Sequence, residues 1–121
     1  MQSIDAFFSA WAETDDATRM AVIAGASHAD VRYLDPQAPD EIIGHQALNA
    51  YVGMFSANAP GWSAKVITSD SVGAYTRATV AFGGKGPDGK DMIQHGQYFV
   101  TLDADGKIVQ MVGFAGTGAP D

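Results

Sequence analysis

The stretch of sequence that decides the fold is MIQHGQYFVTLDADGKIVQMVGF, residues 92–114. Side chains alternate between the two faces of a strand, so Tyr98 and Val100 point to one side and Phe99 to the other. The segment DADG at 103–106 is typical of a tight connection between antiparallel strands. We therefore predict a hairpin whose first strand has large apolar groups on both faces.

A strand with two apolar faces has to cover both of them, because soluble proteins rarely leave such a surface in water. We expect one face to lie under helices of the same chain. We expect a second subunit to cover the other face. The pattern therefore predicts a homodimer formed through the outer face of the sheet.

Other segments of the chain also have strand signals. Residues 62–69 and 74–82 are predicted strands, and the second of them is rich in β-branched and aromatic residues. Residues 31–34 predict a short strand that ends at Asp35. The polar, proline-containing segment 37–43 is predicted to be a loop.

Three segments in the first half of the chain have apolar residues at helical spacing. They extend from Ser3 to Trp11, from Asp15 or Asp16 to Gly25, and from Gly44 to about residue 58. Ser3 and Asp15 suit helix N-caps, and Gly25 suits a helix end. Helices followed by antiparallel strands indicate an α+β fold with the helices packed on one face of the sheet.

Composition excludes several classes of protein. The 121 residues fit one domain, which we place at 1–115, followed by a loose tail at 116–121. The chain has no cysteine, which excludes disulfides, thiolate metal sites and a cysteine nucleophile. Its net charge of −7 argues against nucleic acid and anionic membranes as partners. Its N-terminus lacks the features of a secretory signal, which predicts a cytoplasmic location.

The order of these elements, together with several short strings, resembles the nuclear transport factor 2-like (NTF2-like) superfamily. The nearest branch is that of the SnoaL-like polyketide cyclases and ketosteroid isomerase. The strings are FFSAW (7–11), DVRYLDP (30–36), IGHQAL (43–48), NAPG (58–61), GPDG (86–89), LDADGKI (102–108) and VGF (112–114). The resemblance implies a cone in which three N-terminal helices pack on a curved, mixed, mainly antiparallel sheet. It also implies an apolar pocket and, commonly, a homodimer.

Asp35 is the strongest candidate for a catalytic residue. In ketosteroid isomerase an aspartate acts as general base and moves a proton next to a carbonyl. The resemblance places that aspartate at Asp35, directly before Pro36. The alternative interpretation is structural, because aspartate also accepts backbone N–H groups in the turn that such a proline initiates.

The partner groups of ketosteroid isomerase are only partly matched. That enzyme uses a tyrosine and a protonated acid as hydrogen-bond donors to the oxyanion. The resemblance places the tyrosine at Phe7, which cannot donate, and the acid at Tyr98, which can. The sequence therefore favours a related proton transfer or cyclisation over steroid isomerisation.

Two further polar residues each have two interpretations. His95 is either an acid–base partner of Asp35 or an outward-facing histidine. Alternation puts it on the face opposite Tyr98, unless a bulge near Gly96 shifts the phase. Arg77 either holds a substrate carboxylate or pairs with an acidic residue on an exposed face.

The wall of the pocket is expected to consist mainly of large apolar side chains, and the simpler interpretation of these residues is core packing. The candidate substrate-binding residues are Phe7, Trp11, Tyr33, Tyr51, Phe55, Trp62, Arg77, Met111 and Phe114. We predict no cofactor and no metal, because His28, Asp35 and His45 lack the spacing of a ligand motif.

Three functions remain open on the sequence alone. The first is an enzyme in which Asp35 moves a proton next to the carbonyl of a hydrophobic small molecule and Tyr98 binds the oxyanion. The second is a binding module whose pocket holds a hydrophobic ligand without turnover. The third is an interaction protein that acts through its outer sheet face.

Overall fold

A computed structural model describes residues 3–116. Its helices are α1 (Ser3–Ser9), α2 (Asp16–Ala26) and α3 (His45–Asn58), and the 3₁₀ turn Ala10–Ala12 follows α1. Its strands are β1 (Ser27–Asp35), β2 (Ala38–Ile43), β3 (Ser63–Val72), β4 (Tyr75–Lys85), β5 (Asp91–Leu102) and β6 (Ile108–Ala115). The predicted tail lies outside the described residues except for Gly116. None of the described helices is long and apolar enough to cross a membrane.

The six strands form one mixed sheet in the order β2-β1-β6-β5-β4-β3. Only β1 and β6 are parallel, and all other neighbouring strands are antiparallel. The predicted hairpin of residues 92–114 is confirmed as β5 and β6, in which Tyr98 faces Gly113. Three helices on an open, curved and mainly antiparallel sheet confirm the predicted α+β cone.

The predicted loop at 37–43 is wrong, because most of this segment forms β2. Strand β2 pairs antiparallel with β1, so that Arg32 lies opposite Ile43 and Tyr33 opposite Ile42. Strand β2 is an edge strand, and a sheet accepts proline there because one row of backbone groups has no partner strand. Polar composition alone therefore could not separate this edge strand from a loop.

Two element boundaries also differ from the prediction. Helix α2 continues through Gly25 to Ala26, and strand β1 already begins at Ser27. The backbone of Gly25 is not in the left-handed region that glycine supplies at many helix ends. The helix ends instead at Ser27, whose extended backbone begins the strand and whose hydroxyl donates to the carbonyl of Ile23 at 2.6 Å.

The core lies between the helices and the concave face of the sheet. Phe8 of α1 and Tyr98 of β5 are both buried there, and their ring centroids are 4.9 Å apart. On the opposite face, Phe99 and Phe114 are exposed and touch each other edge to face at 5.7 Å. The alternation along β5 is therefore as predicted. The homodimer that would cover the outer face stays a prediction.

A buried arginine of α2 connects this helix and the segment before it to α3. Arg19 is only 6 % exposed, and its guanidinium donates to Asn49 Oδ1 at 2.8 Å and to Asp16 Oδ1 at 2.9 Å. It also donates to the carbonyl oxygen of Glu13 at 3.0 Å. Gly53 lies so close that a Cβ there would be 2.6 Å from Arg19 Nη2. This glycine therefore leaves the space that the guanidinium fills.

We predict that Arg19→Leu lowers the free energy of unfolding by about 2–3 kcal/mol, because it removes the guanidinium that donates to the buried Asn49 side chain. The matched control is Arg32→Leu, which removes an exposed arginine that pairs with Glu41 at 2.8 Å. The control should cost less than about 1 kcal/mol. Urea unfolding followed by circular dichroism measures both values, and equal losses would contradict the structural role of Arg19.

Candidate functional site

A cleft of about 380 Å³ opens between the end of β1, the 3₁₀ turn, α3 and the strands β4 and β5. Aromatic side chains form much of its wall, and a few polar residues lie among them. The aromatic residues are Trp11, Tyr51, Phe55, Trp62, Phe82, Tyr98 and Phe114. The polar ones are Asp35, Gln37, Asn58, Gln94 and His95.

The carboxylate of Asp35 accepts hydrogen bonds from three groups. Tyr33 donates its hydroxyl to Oδ2 at 2.7 Å, and the backbone N–H of Gln37 donates to Oδ1 at 2.8 Å. The Tyr51 hydroxyl lies between the two oxygens, at 2.8 Å from Oδ1 and 2.7 Å from Oδ2. Asp35 therefore accepts a backbone N–H in the turn after Pro36, as the structural interpretation predicts, and it also lines the cleft.

The number of protons in this cluster fixes the direction of its hydrogen bonds. Tyr33 has one hydroxyl proton, and it donates that proton to Asp35. In the 3.3 Å contact between the Tyr33 and Tyr98 hydroxyls, Tyr98 must therefore be the donor. Most O–H···O hydrogen bonds have an oxygen–oxygen distance of about 2.7–2.8 Å. The longer distance here means that the hydrogen bond from Tyr98 to Tyr33 is weak. A ligand oxygen in the cleft can compete for its proton.

The three tyrosines of the cluster are neutral donors. Burial raises the pKa of Tyr33 and Tyr98 well above the usual value of 10.0, and the Asp35 carboxylate acts in the same direction. Burial also raises the pKa of Tyr51, and its hydrogen bond to Asp35 adds to the effect. A buried phenol next to a carboxylate resists ionisation because its anion would lack water and face a like charge.

Small residues on the neighbouring strands make room for the Tyr98 ring. Tyr98 lies opposite Ala78 of β4 and Gly113 of β6. A Cβ at Gly113 would be 2.4–2.9 Å from three atoms of the ring. The ring therefore lies directly on the backbone of β6, and this contact fixes where its hydroxyl points.

Trp62 is held in a similar way at another part of the wall. Its indole N–H donates to the carbonyl of Lys85 at 2.9 Å. A Cβ at Gly84 would be 2.5 Å from Cδ1 of the indole ring. Trp62 therefore lies on the bare backbone of β4 next to the cleft.

His95 lies on the opposite face of β5 from Tyr98. The pairing of β4 with β5 is regular, with Val80 opposite Gly96 and Ala81 opposite His95, so no bulge changes the phase. His95 is exposed and reaches only the rim of the cleft. No hydrogen bond joins it to Asp35 in the described part of the chain, so the interpretation as an acid–base partner is not supported.

Several candidate substrate-binding residues do not line the cleft in the structure. Arg77 lies exposed on the outer face and pairs with Asp70 at 3.0 Å, as in its second interpretation, and it does not line the cleft. Phe7, Met111 and Tyr33 are about 1 % exposed and belong to the core behind the wall. Large apolar residues near a pocket pack behind its surface as often as on it, and periodicity does not distinguish the two.

The other candidates lie on the wall. They are Trp11, Tyr51, Phe55, Trp62 and, at the rim, Phe114. The sequence prediction missed Phe82 and Gln94, which lie opposite each other on β4 and β5. Alternation from the buried Val80 could have placed Phe82 on the inner face. The convergence of the Tyr33 and Tyr51 hydroxyls on Asp35 had no local sequence signal.

The raised tyrosine pKa values predict a loss of stability at alkaline pH. The unfolded chain ionises its tyrosines near pH 10, whereas the folded chain keeps Tyr33 and Tyr98 protonated. Above that pH the unfolded state binds fewer protons, so the free energy of unfolding should fall by about 1.4 kcal/mol per pH unit for each such tyrosine. Urea unfolding across this range measures the slope, and Tyr33→Phe should make it shallower. An unchanged slope in Tyr33→Phe would contradict this origin.

Comparison with solved structures finds the same fold in several bacterial proteins. A candidate isomerase of the SnoaL-like family from Agrobacterium tumefaciens is 28 % identical, covers 95 % of each chain and has a TM-score of 0.79. An NTF2-like protein of unknown function from Exiguobacterium is 21 % identical over 95 % of this chain and 98 % of that one, with a TM-score of 0.75. A candidate SnoaL-like polyketide cyclase from Jannaschia is 16 % identical over 93 % and 84 %, with a TM-score of 0.71.

No protein of curated function matches the chain. The family comparison does find a match, because the SnoaL-like domain matches residues 4–111. This range includes Asp35, Tyr98 and all other cleft-lining residues except 114 and 115. The resemblance inferred from the sequence strings is thereby confirmed. The chain belongs to the SnoaL-like domain family, and it shares its fold with NTF2-like proteins.

Proposed function

We propose that this protein is an isomerase or cyclase that moves a proton next to a carbonyl group of a hydrophobic small molecule. Asp35 is the base, and Tyr98 donates a hydrogen bond to the oxyanion. The observation that carries the proposal is that Asp35 and Tyr98 line the same cleft and are joined through the Tyr33 hydroxyl. The SnoaL-like family, which includes candidate isomerases and cyclases, supports the same reaction class.

Asp35 has room for a substrate proton. A carboxylate offers about four lone-pair positions. Tyr33, Tyr51 and the Gln37 N–H supply three protons, so one position stays open. The three donors also fix the orientation of the carboxylate, which keeps the open position aimed in one direction.

The reaction needs no group from outside the substrate and the protein. Asp35 takes a proton from the carbon next to the carbonyl, the C–H electron pair forms a C=C bond, and the carbonyl electrons move to oxygen. Tyr98 then donates to this oxyanion in place of Tyr33. In an isomerisation, Asp35 returns the proton to another carbon of the conjugated system. In a cyclisation, the enolate carbon attacks a second carbonyl, and the new alkoxide takes the proton.

Phe7 marks the difference from ketosteroid isomerase. It is buried in the core at the position that the resemblance assigns to the tyrosine of that enzyme. Tyr51 is the other hydroxyl on the wall, and its proton is engaged by Asp35. The proposed site therefore has one free hydroxyl donor for the oxyanion, which differs from the tyrosine and protonated acid of ketosteroid isomerase.

A binding module without turnover is the second candidate. One observation favours it: the indole N–H of Trp11 is buried and has no hydrogen-bond partner among the described residues. An unpaired buried donor costs free energy, and Trp11 lies on the cleft wall. A ligand oxygen that reached this N–H would stabilise the protein without any chemistry. Such binding should survive the loss of Asp35.

We predict that Asp35→Asn abolishes proton transfer and leaves the fold intact, because asparagine keeps the shape of the side chain but cannot act as base. The measurement is deuterium exchange into the methyl group of acetophenone in D₂O, followed by proton NMR. Loss of a general base should slow exchange by about 10²–10⁴-fold. Exchange at the native rate in Asp35→Asn would end the catalytic proposal and favour the binding module.

We predict that Gly113→Ala slows the same exchange by about 10²-fold, because the new Cβ displaces the Tyr98 ring and misaligns its hydroxyl. Gly25→Ala is the matched control, since nothing lies within 4 Å of a Cβ at that position. Both variants should remain folded by circular dichroism. If Gly113→Ala exchanges like the control, Tyr98 does not act on the oxyanion.

A further inference from the structure

The cleft wall has charge of only one sign. Among the lining residues that the structure describes, Asp35 is the one acidic residue and none is lysine or arginine. His95 is the one lining side chain that can become cationic, and it lies exposed at the rim. A ligand that reaches the Asp35 end of the cleft therefore meets a carboxylate and no counter-charge.

The hydrogen bonds to Asp35 orient its charge without cancelling it. All three donors are neutral: two phenol hydroxyls and one backbone N–H. The Tyr33 and Tyr98 phenols are buried and stay protonated, so they add no charge of their own. Asp35 differs in this respect from the acids of the surface ion pairs.

Four of the seven lysines and arginines of the chain form ion pairs, and none of these four lines the cleft. Arg32 pairs with Glu41, Arg77 with Asp70, and Lys85 with Asp91. The buried Arg19 pairs with Asp16 at the start of α2, and neither residue lines the cleft. The chain as a whole has a net charge of −7, so its overall field also repels anions.

The surroundings of Asp35 strengthen this effect. Trp11, Phe55 and Phe82 form an apolar wall close to the carboxylate end of the cleft. Charges interact more strongly beside such a wall than in open water, because fewer water molecules screen them. A second carboxylate placed there would lose its hydration and face a like charge.

We propose that the cleft selects substrates by charge: it admits molecules whose reacting end is an uncharged carbonyl, such as a ketone or an ester, and rejects the corresponding carboxylates. Asp35 is the residue that sets this selectivity. The proposal rests on the cleft being the binding site of the proposed function, but it does not require that Asp35 transfers a proton.

The test compares acetophenone with benzoate, which differ mainly in the replacement of a methyl group by a charged oxygen. Binding is followed by NMR titration of the two indole N–H signals, because both tryptophans, Trp11 and Trp62, line the cleft. The native protein should bind acetophenone at least about tenfold more tightly than benzoate. Benzoate is also the better hydrated compound, so variants are needed to isolate the charge of the protein.

Two variants change the charge of the wall in independent ways. Asp35→Asn removes the negative charge, and Gln94→Lys adds a positive charge on the inner face of β5 while leaving Asp35 in place. Each variant should lower the ratio of the benzoate dissociation constant to the acetophenone dissociation constant by about tenfold. The control Gln46→Lys makes the same change of net charge on the exposed surface of α3, outside the cleft, and should leave the ratio unchanged.

The outcomes separate this proposal from the proposed function. The charge proposal is overturned if native protein binds benzoate as tightly as acetophenone, if neither variant changes the ratio, or if Gln46→Lys changes it as much as Gln94→Lys. It is also overturned if neither probe shifts the indole signals up to its solubility. Selective binding of acetophenone without exchange of its methyl protons would support charge selection and contradict proton transfer.

Discussion

The carboxylate of Asp35 is the point at which the parts of this site are joined. Asp35 is the last residue of β1, and its carboxylate accepts a hydrogen bond from the backbone N–H of Gln37 in the turn toward β2. It also accepts hydrogen bonds from the hydroxyls of Tyr33 on β1 and Tyr51 on α3. Through Tyr33 it is also connected to Tyr98 on β5. One hydrogen-bonded cluster therefore connects β1, α3 and β5. A hydrogen-bonded carboxylate of this kind has a fixed direction, and a general base needs that property more than it needs a particular fold.

Much of the fold follows from local patterns in the sequence. The alternation of residues 92–102 correctly predicted which side chains of β5 face the core, because one face of the sheet is covered by helices and the other is not. The predicted loop at 37–43 was wrong, since an edge strand is compatible with proline and charged residues. Gly25 was assigned as a helix end because glycine often has that role, but α2 continues one residue further and Ser27 caps it.

The site was predictable only where a local string marked it. Asp35 and Tyr98 were identified from their positions in the family pattern, and alternation correctly placed His95 on the other face from Tyr98. Arg77 points outward, and alternation from the buried Ala78 and Val80 could have placed it there. The meeting of the Tyr33, Tyr51 and Tyr98 hydroxyls depends on the curvature of the sheet and the rotation of α3. Both properties arise from packing across the whole chain, which no local pattern encodes.

The contact between Trp62 and Gly84 has a consequence for how this fold diversifies. The indole lies where any larger residue at 84 would have its Cβ, so a single substitution there would force the tryptophan to a new position and reshape one wall of the cleft. Position 84 is far from Asp35 in the sequence and makes no bond to it. Related chains can therefore acquire a different cleft shape by exchanging one small residue on β4, while the hydrogen-bonded cluster around Asp35 stays unchanged.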